Sequence, residues 1–143
     1  MFSKSCEYGI RAVLYLAANS SVGKRIGIIP ISEKLEIPSP FLGKILQKLA
    51  REGVIHSAKG PNGGFFTTKE DVDKPMISVV HTLDGPEVFT SCAAGLKECS
   101  DEKPCPLHND IKPFRNALRD SLTKKSIKVF ADTLENDGTY LVV

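Results

Sequence analysis

Three of the chain's four cysteines, Cys92, Cys99 and Cys105, crowd into one short polar stretch, and His108 follows the last of them by three residues. The pattern C-x6-C-x5-C-P-L-H brings together soft thiolate donors and one imidazole, a set that suits an iron–sulfur cluster, zinc or copper(I). A complete site normally takes four ligands. His108 lies about one helical turn from the Cys105 thiolate, within reach of the same centre. Zinc competes for the same donors, but its usual tight C-x2–4-C knuckle is missing here. A regulatory disulfide would leave an odd cysteine, and in a reducing compartment it fits only as a transient switch. A loop whose cysteines hold nothing is the remaining alternative.

The elements around this stretch decide which chemistry makes sense. Cys92 to Pro106 shows no hydrophobic periodicity and contains Gly95, Pro104 and Pro106, which predicts an irregular loop. Upstream, Ile10, Val13, Leu14 and Ala17 recur at helical spacing over residues 5–18, with Ser3 or Ser5 as the cap and Glu7 in the first turn. Residues 20–27 read as a loop, and residues 30–37 as a short helix with Pro30 at its first position. A longer helix follows Ile37-Pro38, with Ser39 as N-cap, Pro40 at the first helical position and Gly53 just past its end. Its buried stripe is Leu42, Ile45, Leu46 and Leu49, so Lys44, Lys48 and Arg51 face outward.

Two strand-like runs, VIHSAK and FFTT, then flank GPNGG, where Asn62-Gly63 is a hairpin turn signal. A hairpin directly after the second helix of a helix-turn-helix is a winged helix. Residues 75–84 make another short helix ended by Gly85-Pro86. From Leu107 onward Ile111, Phe114, Leu118 and Leu122 keep one helical face apolar to about Thr123, and a shorter helix capped near Ser126 follows. An amphipathic helix that leaves a small DNA-binding domain is often covered by a second copy. The expected fold is therefore mainly α, a winged helix-turn-helix with a small β-hairpin wing and a long C-terminal dimerisation helix. Its divisions are 1–85 for DNA binding, 86–106 for the cysteine loop and 107–143 for the dimerisation and C-terminal helices.

The formal net charge is only +2, so charge alone does not identify a nucleic-acid partner. Its distribution says more: Lys44, Lys48, Arg51 and Lys59 stand against the single acid Glu52. A recognition helix enters the major groove by its N-terminal end, which makes Ser39, Pro40, Gly43 and Lys44 candidate base-side residues and Lys48 and Arg51 phosphate contacts. At the wing, glycines allow close approach to the sugar–phosphate wall, and Lys59, Asn62 and Gly63 are the candidates for a narrow minor groove.

The first residues lack the charged leader and cleavage pattern of a signal peptide, and no apolar run is long enough to span a bilayer. A cytoplasmic protein without membrane association is the expectation. No nucleophile–base pair and no G-x-x-x-x-G-K phosphate loop is present, so the chain reads as a non-enzyme. His56, His81 and the buried-looking Cys6 read as ordinary surface or core residues.

Three stretches together resemble one known family: EYGIRAVLYLA, IPSPFLGKILQKLAREGVIHSAKGPNGGF and the C…C…CPLH segment, in that order. They are similar to the bacterial winged-helix regulators that include the iron–sulfur regulator IscR, the nitric-oxide sensor NsrR and the cysteine-metabolism regulator CymR. The resemblance implies a homodimer on a double-stranded DNA operator, with an iron–sulfur cluster, 2Fe–2S or 4Fe–4S, in the cysteine loop controlling DNA affinity. It matches His108 to the histidine that completes a 2Fe–2S site. It also matches Glu7 to an acidic residue that reaches a 4Fe–4S cluster across the dimer, so the fourth ligand stays open. Gly43 stands where the iron–sulfur regulator has a glutamate that reads DNA, and its site preference does not carry over.

Overall fold

A computed structural model describes residues 1–143 as seven α-helices and one antiparallel hairpin, in the order α1 (Lys4–Asn19), α2 (Ile28–Leu35), α3 (Ser39–Arg51), β1 (His56–Ala58), β2 (Gly64–Phe66), α4 (Lys69–Val72), α5 (Ile77–Asp84), a 3-10 turn (Pro86–Phe89), α6 (His108–Lys124) and α7 (Ile127–Asn136). The expected winged helix is present.

α1 begins where Ser3 Oγ accepts from the Cys6 N–H at 3.0 Å, a side-chain cap that replaces one of the helix's missing backbone partners. One face of α1 is buried through Cys6, Ala12, Val13 and Leu16. On α3 the stripe Leu42, Ile45, Leu46 and Leu49 is fully or nearly buried, as the spacing predicts. Each such side chain contributes roughly 1.5–3 kcal/mol of transfer free energy. Gly9 lets α1 approach α5 and α3 closely, because a Cβ there would overlap Leu83.

Four local expectations shift. α2 begins two residues before Pro30, at Ile28. Ser39 is not the N-cap of α3; Pro38 holds that position, Ser39 is the first helical residue and no side chain caps the end. The hairpin turn is not centred on Asn62-Gly63. The Gly63 N–H donates to Gly60 O at 2.9 Å, so Pro61 and Asn62 are the central pair, with proline where a turn prefers it. Finally, residues 20–27 are not only loop. Ile26 and Phe65 exchange backbone hydrogen bonds at 2.9 and 2.8 Å, adding a one-residue third strand to the wing. Gly64 makes this possible: its φ is +145°, and a Cβ would stand 2.7 Å from the Ile26 backbone.

α4 has no counterpart in the sequence reading. It is one turn held by a capping box between Thr68 and Asp71. α7 turns back across α1 rather than extending outward. Its start is clamped to the entry of α5, with the Met76 N–H donating to Lys125 O at 3.0 Å and the Ile127 N–H to Lys74 O at 2.9 Å. Arg11 Nε donates to Leu141 O at 2.7 Å, and the same guanidinium reaches Leu35 O at the end of α2. The last residues of the chain are thus tied to the helix-turn-helix. No helix is long and apolar enough to cross a membrane.

Candidate DNA interface and thiol loop

The exposed face of α3 runs through Pro40, Phe41, Lys44, Gln47, Lys48 and Arg51. Lys44, Lys48 and Arg51 point away from the core as predicted. Gly43 does not. It is buried at the crossing with α2, where a Cβ would lie 2.8 Å from Ile28 Cδ1, so its small size serves helix packing and it offers nothing to a groove. Ser39 is half-buried beside it.

The wing presents Lys59 at its tip, with Asn62 and Gly63 in the turn. Arg25 joins it. Its guanidinium lies 5.3 Å from the centre of the Phe66 ring, a cation–π contact that holds the charge beside β2. Spacing gave no sign of Arg25, because the strand pairing of Ile26 is what brings it to the wing. The base of the hairpin is fixed by Asp71, only 1% exposed. Its carboxylate accepts from the Thr68 N–H at 2.9 Å, from Lys74 Nζ at 2.9 Å and from His56 Nδ1 at 2.7 Å. Burial alone would raise this carboxyl's pKa, but the Thr68 N–H, Lys74 and His56 outweigh it and hold it below the usual carboxylate range.

The start of the thiol loop is anchored twice. Phe89 is buried in the core, edge-on to Phe2 at 6.2 Å and to His81 at 6.1 Å. On α6, Arg115 is 5% exposed and its guanidinium donates to Ser91 O, next to Cys92. From Ser91 to Leu107 no regular element forms, as predicted, and all four thiols are free.

Within the loop the donors stand in two pairs. Cys92 opens a turn closed by the Gly95 N–H on Cys92 O at 3.0 Å. The backbone N–H of Leu96, helped by those of Ala94 and Gly95 and by the Cys105 thiol, holds the Cys92 thiol below its ordinary pKa. The second pair is Cys99 and His108, with Sγ 3.5 Å from Nδ1. His108 is placed by the C-P-L-H turn, whose closing bond runs from the His108 N–H to Cys105 O at 3.0 Å. The imidazole is 7% exposed, and its Nε2 meets Asp101 Oδ1 at 2.8 Å. Asp101 is gripped in turn by Lys112 Nζ at 2.5 and 2.6 Å, and Lys112, then His108, holds its carboxyl below the usual range. With Nε2–H donating to the carboxylate, Nδ1 presents its lone pair to the thiol.

Other groups stand apart. Glu7 is exposed on α1 and pairs with Lys4 at 2.9 Å. Cys6 is fully buried, and burial, reinforced by the charge of Asp84, pushes its thiol up to about 12. No three Cys, His, Asp or Glu side chains converge tightly enough to hold a single metal ion.

A winged helix with a cationic outer face and a thiol-bearing loop beneath a long helix defines a DNA-binding transcriptional regulator. The family described as Rrf2, iron-dependent transcriptional regulator, matches residues 2–133, and the chain belongs to it. A protein of Aquifex aeolicus named as an HTH-type transcriptional regulator is 28% identical over 130 residues, covering 90% of this chain and 89% of the other. The HTH-type transcriptional regulator IscR of Serratia proteamaculans is 26% identical over 140 residues, covering 92% and 84%. Among solved structures, CymR, the global cysteine regulator of B. subtilis, superposes with a TM-score of 0.73 at 20% identity, covering 92% of this chain and 96% of the other. T. potens IscR gives 0.70 at 18% identity, covering 98% and 92%.

Proposed function

We propose that the chain is a cytoplasmic, homodimeric regulator whose operator binding responds to an iron–sulfur centre held by Cys92, Cys99, Cys105 and His108. One observation carries the reading: a nearly buried imidazole, oriented by Asp101, directs its free nitrogen at a thiol. Metal-bound histidines characteristically donate their other N–H to a carboxylate, which fixes tautomer and ring orientation. Sequence spacing could nominate His108 but not Asp101, whose role depends on how the loop folds back.

The donor set fits. Two pairs, Cys92 with Cys105 and Cys99 with His108, suit a two-iron centre that takes two ligands per iron better than one tetrahedral ion. The same geometry favours His108 over Glu7 as the fourth ligand. When bound, such a centre supplies a chemistry that oxidants or nitric oxide can alter, and an imidazole ligand raises its potential relative to a thiolate.

The chain's own residues provide the coupling. The loop is attached to the winged helix through Phe89 and to α6 through Arg115, His108 and Lys112. On α6 Phe114 is 60% exposed, and Leu107 at the helix cap, two turns earlier on the same face, is exposed as well, apolar positions that a second copy would cover. A change in loop order therefore acts on the helix that sets the spacing of the two recognition helices, and half-site spacing is geometrically strict.

Anaerobically purified protein should show visible sulfide-to-iron absorption that His108→Ala diminishes and Glu7→Ala leaves in place. Colourless protein, or loss of absorption with Glu7→Ala alone, contradicts the ligand set. A second reading has an observation behind it: a thiol held low beside a neighbouring thiol is the arrangement of a redox switch. Colourless protein in which mild oxidation joins Cys92 to Cys105 and alters DNA affinity would establish that reading instead.

A further inference from the structure

The charged stripe of α3 has two uncharged flanks. At 3.6 residues per turn, Lys44 and Arg51 lie near the middle of the exposed face, with Phe41 and Gln47 each roughly 60° to either side. Phe41 is 63% exposed and pairs with no other ring. The Gln47 side chain is also exposed, and none of the chain's side-chain hydrogen bonds involves it. A lone exposed aromatic is ordinary on a protein surface. This one sits in the first turn of a helix whose amino end enters the major groove, on the same face as three cations.

The chemistry of these two side chains differs from that of their neighbours. Lysine is a point charge suited to phosphate. A glutamine amide pairs in bidentate fashion with adenine N6 and N7, and a phenyl ring packs on the thymine methyl. Along the helix axis the two are separated by about 9 Å, or between two and three base-pair steps of about 3.4 Å. Both therefore fit within one half-site.

We infer that Phe41 and Gln47 determine operator specificity, Phe41 by contact with a thymine methyl and Gln47 by bidentate bonding to an adenine, while Lys44, Lys48 and Arg51 hold the backbone. The inference deepens the DNA-binding reading and rests on it.

The test is selection from a randomised duplex pool by full-length protein purified without oxygen, comparing wild type with Phe41→Ala, Gln47→Ala, Gln47→Glu and Lys48→Ala. Wild type should select a site with a strongly preferred adenine and a strongly preferred thymine. Gln47→Ala should lose the adenine preference by about tenfold, and Gln47→Glu should move it toward cytosine, whose N4 amino group a carboxylate accepts from. Replacing that thymine by uracil should weaken wild type but not Phe41→Ala. Lys48→Ala should select the wild-type site with uniformly lower affinity. Variants that retain wild-type base preferences would overturn the inference while leaving DNA binding intact. A wild-type protein that selects nothing would overturn the DNA-binding reading itself.

Discussion

Replacing Asp71 by alanine should cost about 3 kcal/mol of stability, and the structure says where that loss comes from. The carboxylate satisfies the Thr68 N–H as half of a capping box, and losing such a cap costs about 1 kcal/mol. It also accepts from His56 Nδ1, a bond to a charged group worth about 1.5 kcal/mol after allowance for the half-exposed ring. The ion pair with the partly exposed Lys74 adds at most about 1 kcal/mol, because Lys74 keeps its bond to Gly53 O. For a chain of this length, 3 kcal/mol corresponds to a fall in Tm of about 10 °C. Urea unfolding at fixed protein concentration measures it, since any dimer makes stability concentration-dependent. The pH dependence gives a second check. Because the folded carboxyl titrates below its unfolded value of about 3.9, its stabilisation is complete above that value. It disappears as pH falls through the lower, folded value. The gap between wild type and Asp71→Ala should therefore be constant from pH 7 to about pH 5 and close on further acidification. A loss under about 1 kcal/mol, or a gap indifferent to acid, would refute the claim that this network holds the wing.

Gly64→Ala should destabilise the protein by more than about 2 kcal/mol, read by urea unfolding, because its φ of +145° and the Ile26 backbone 2.7 Å from a new Cβ leave no relaxed placement. Lys44→Ala should reduce the slope of log affinity against log salt by about one unit for an operator duplex, as expected when one phosphate contact is removed. Asp101→Ala should release the His108 ring from its fixed orientation and accelerate loss of visible absorption under a chelator, with affinity for the centre falling roughly 10- to 100-fold. Phe114→Lys should convert a dimer to monomer in sedimentation, since it places a charge in the middle of the apolar stripe of α6.

The parts of this molecule legible in the sequence were those written in periodicity. Leu42, Ile45, Leu46 and Leu49 repeat at helical spacing and are all buried, and the pause near Ser126 does separate α6 from α7, with Ser126 capping the second helix. Glycine and proline marked the wing and the irregular thiol loop. What escaped depends on contacts between distant residues. Ile26 becomes a strand only by meeting Phe65, and that pairing brings Arg25 to the wing. Gly43 looked available because glycine carries no pattern; its burial follows from the crossing with Ile28. At the thiol loop the donors were countable, but the two-by-two pairing and the Asp101–His108–Lys112 chain required the loop's path. At Asp71 the capping box with Thr68 and the pair with Lys74 are local, within three residues, but the bond to His56 on β1 that makes it the anchor of the hairpin depends on the fold.

The central claim is that the state of the thiol loop governs DNA affinity. The most direct measurement is binding of one selected operator duplex by anaerobically prepared full-length protein, before and after chelator removal of the iron, at matched salt and protein concentration. The account predicts visible absorption before treatment and an operator affinity that changes at least tenfold after it, with nonspecific duplex binding unaltered. Equal operator affinity of the two preparations would contradict it.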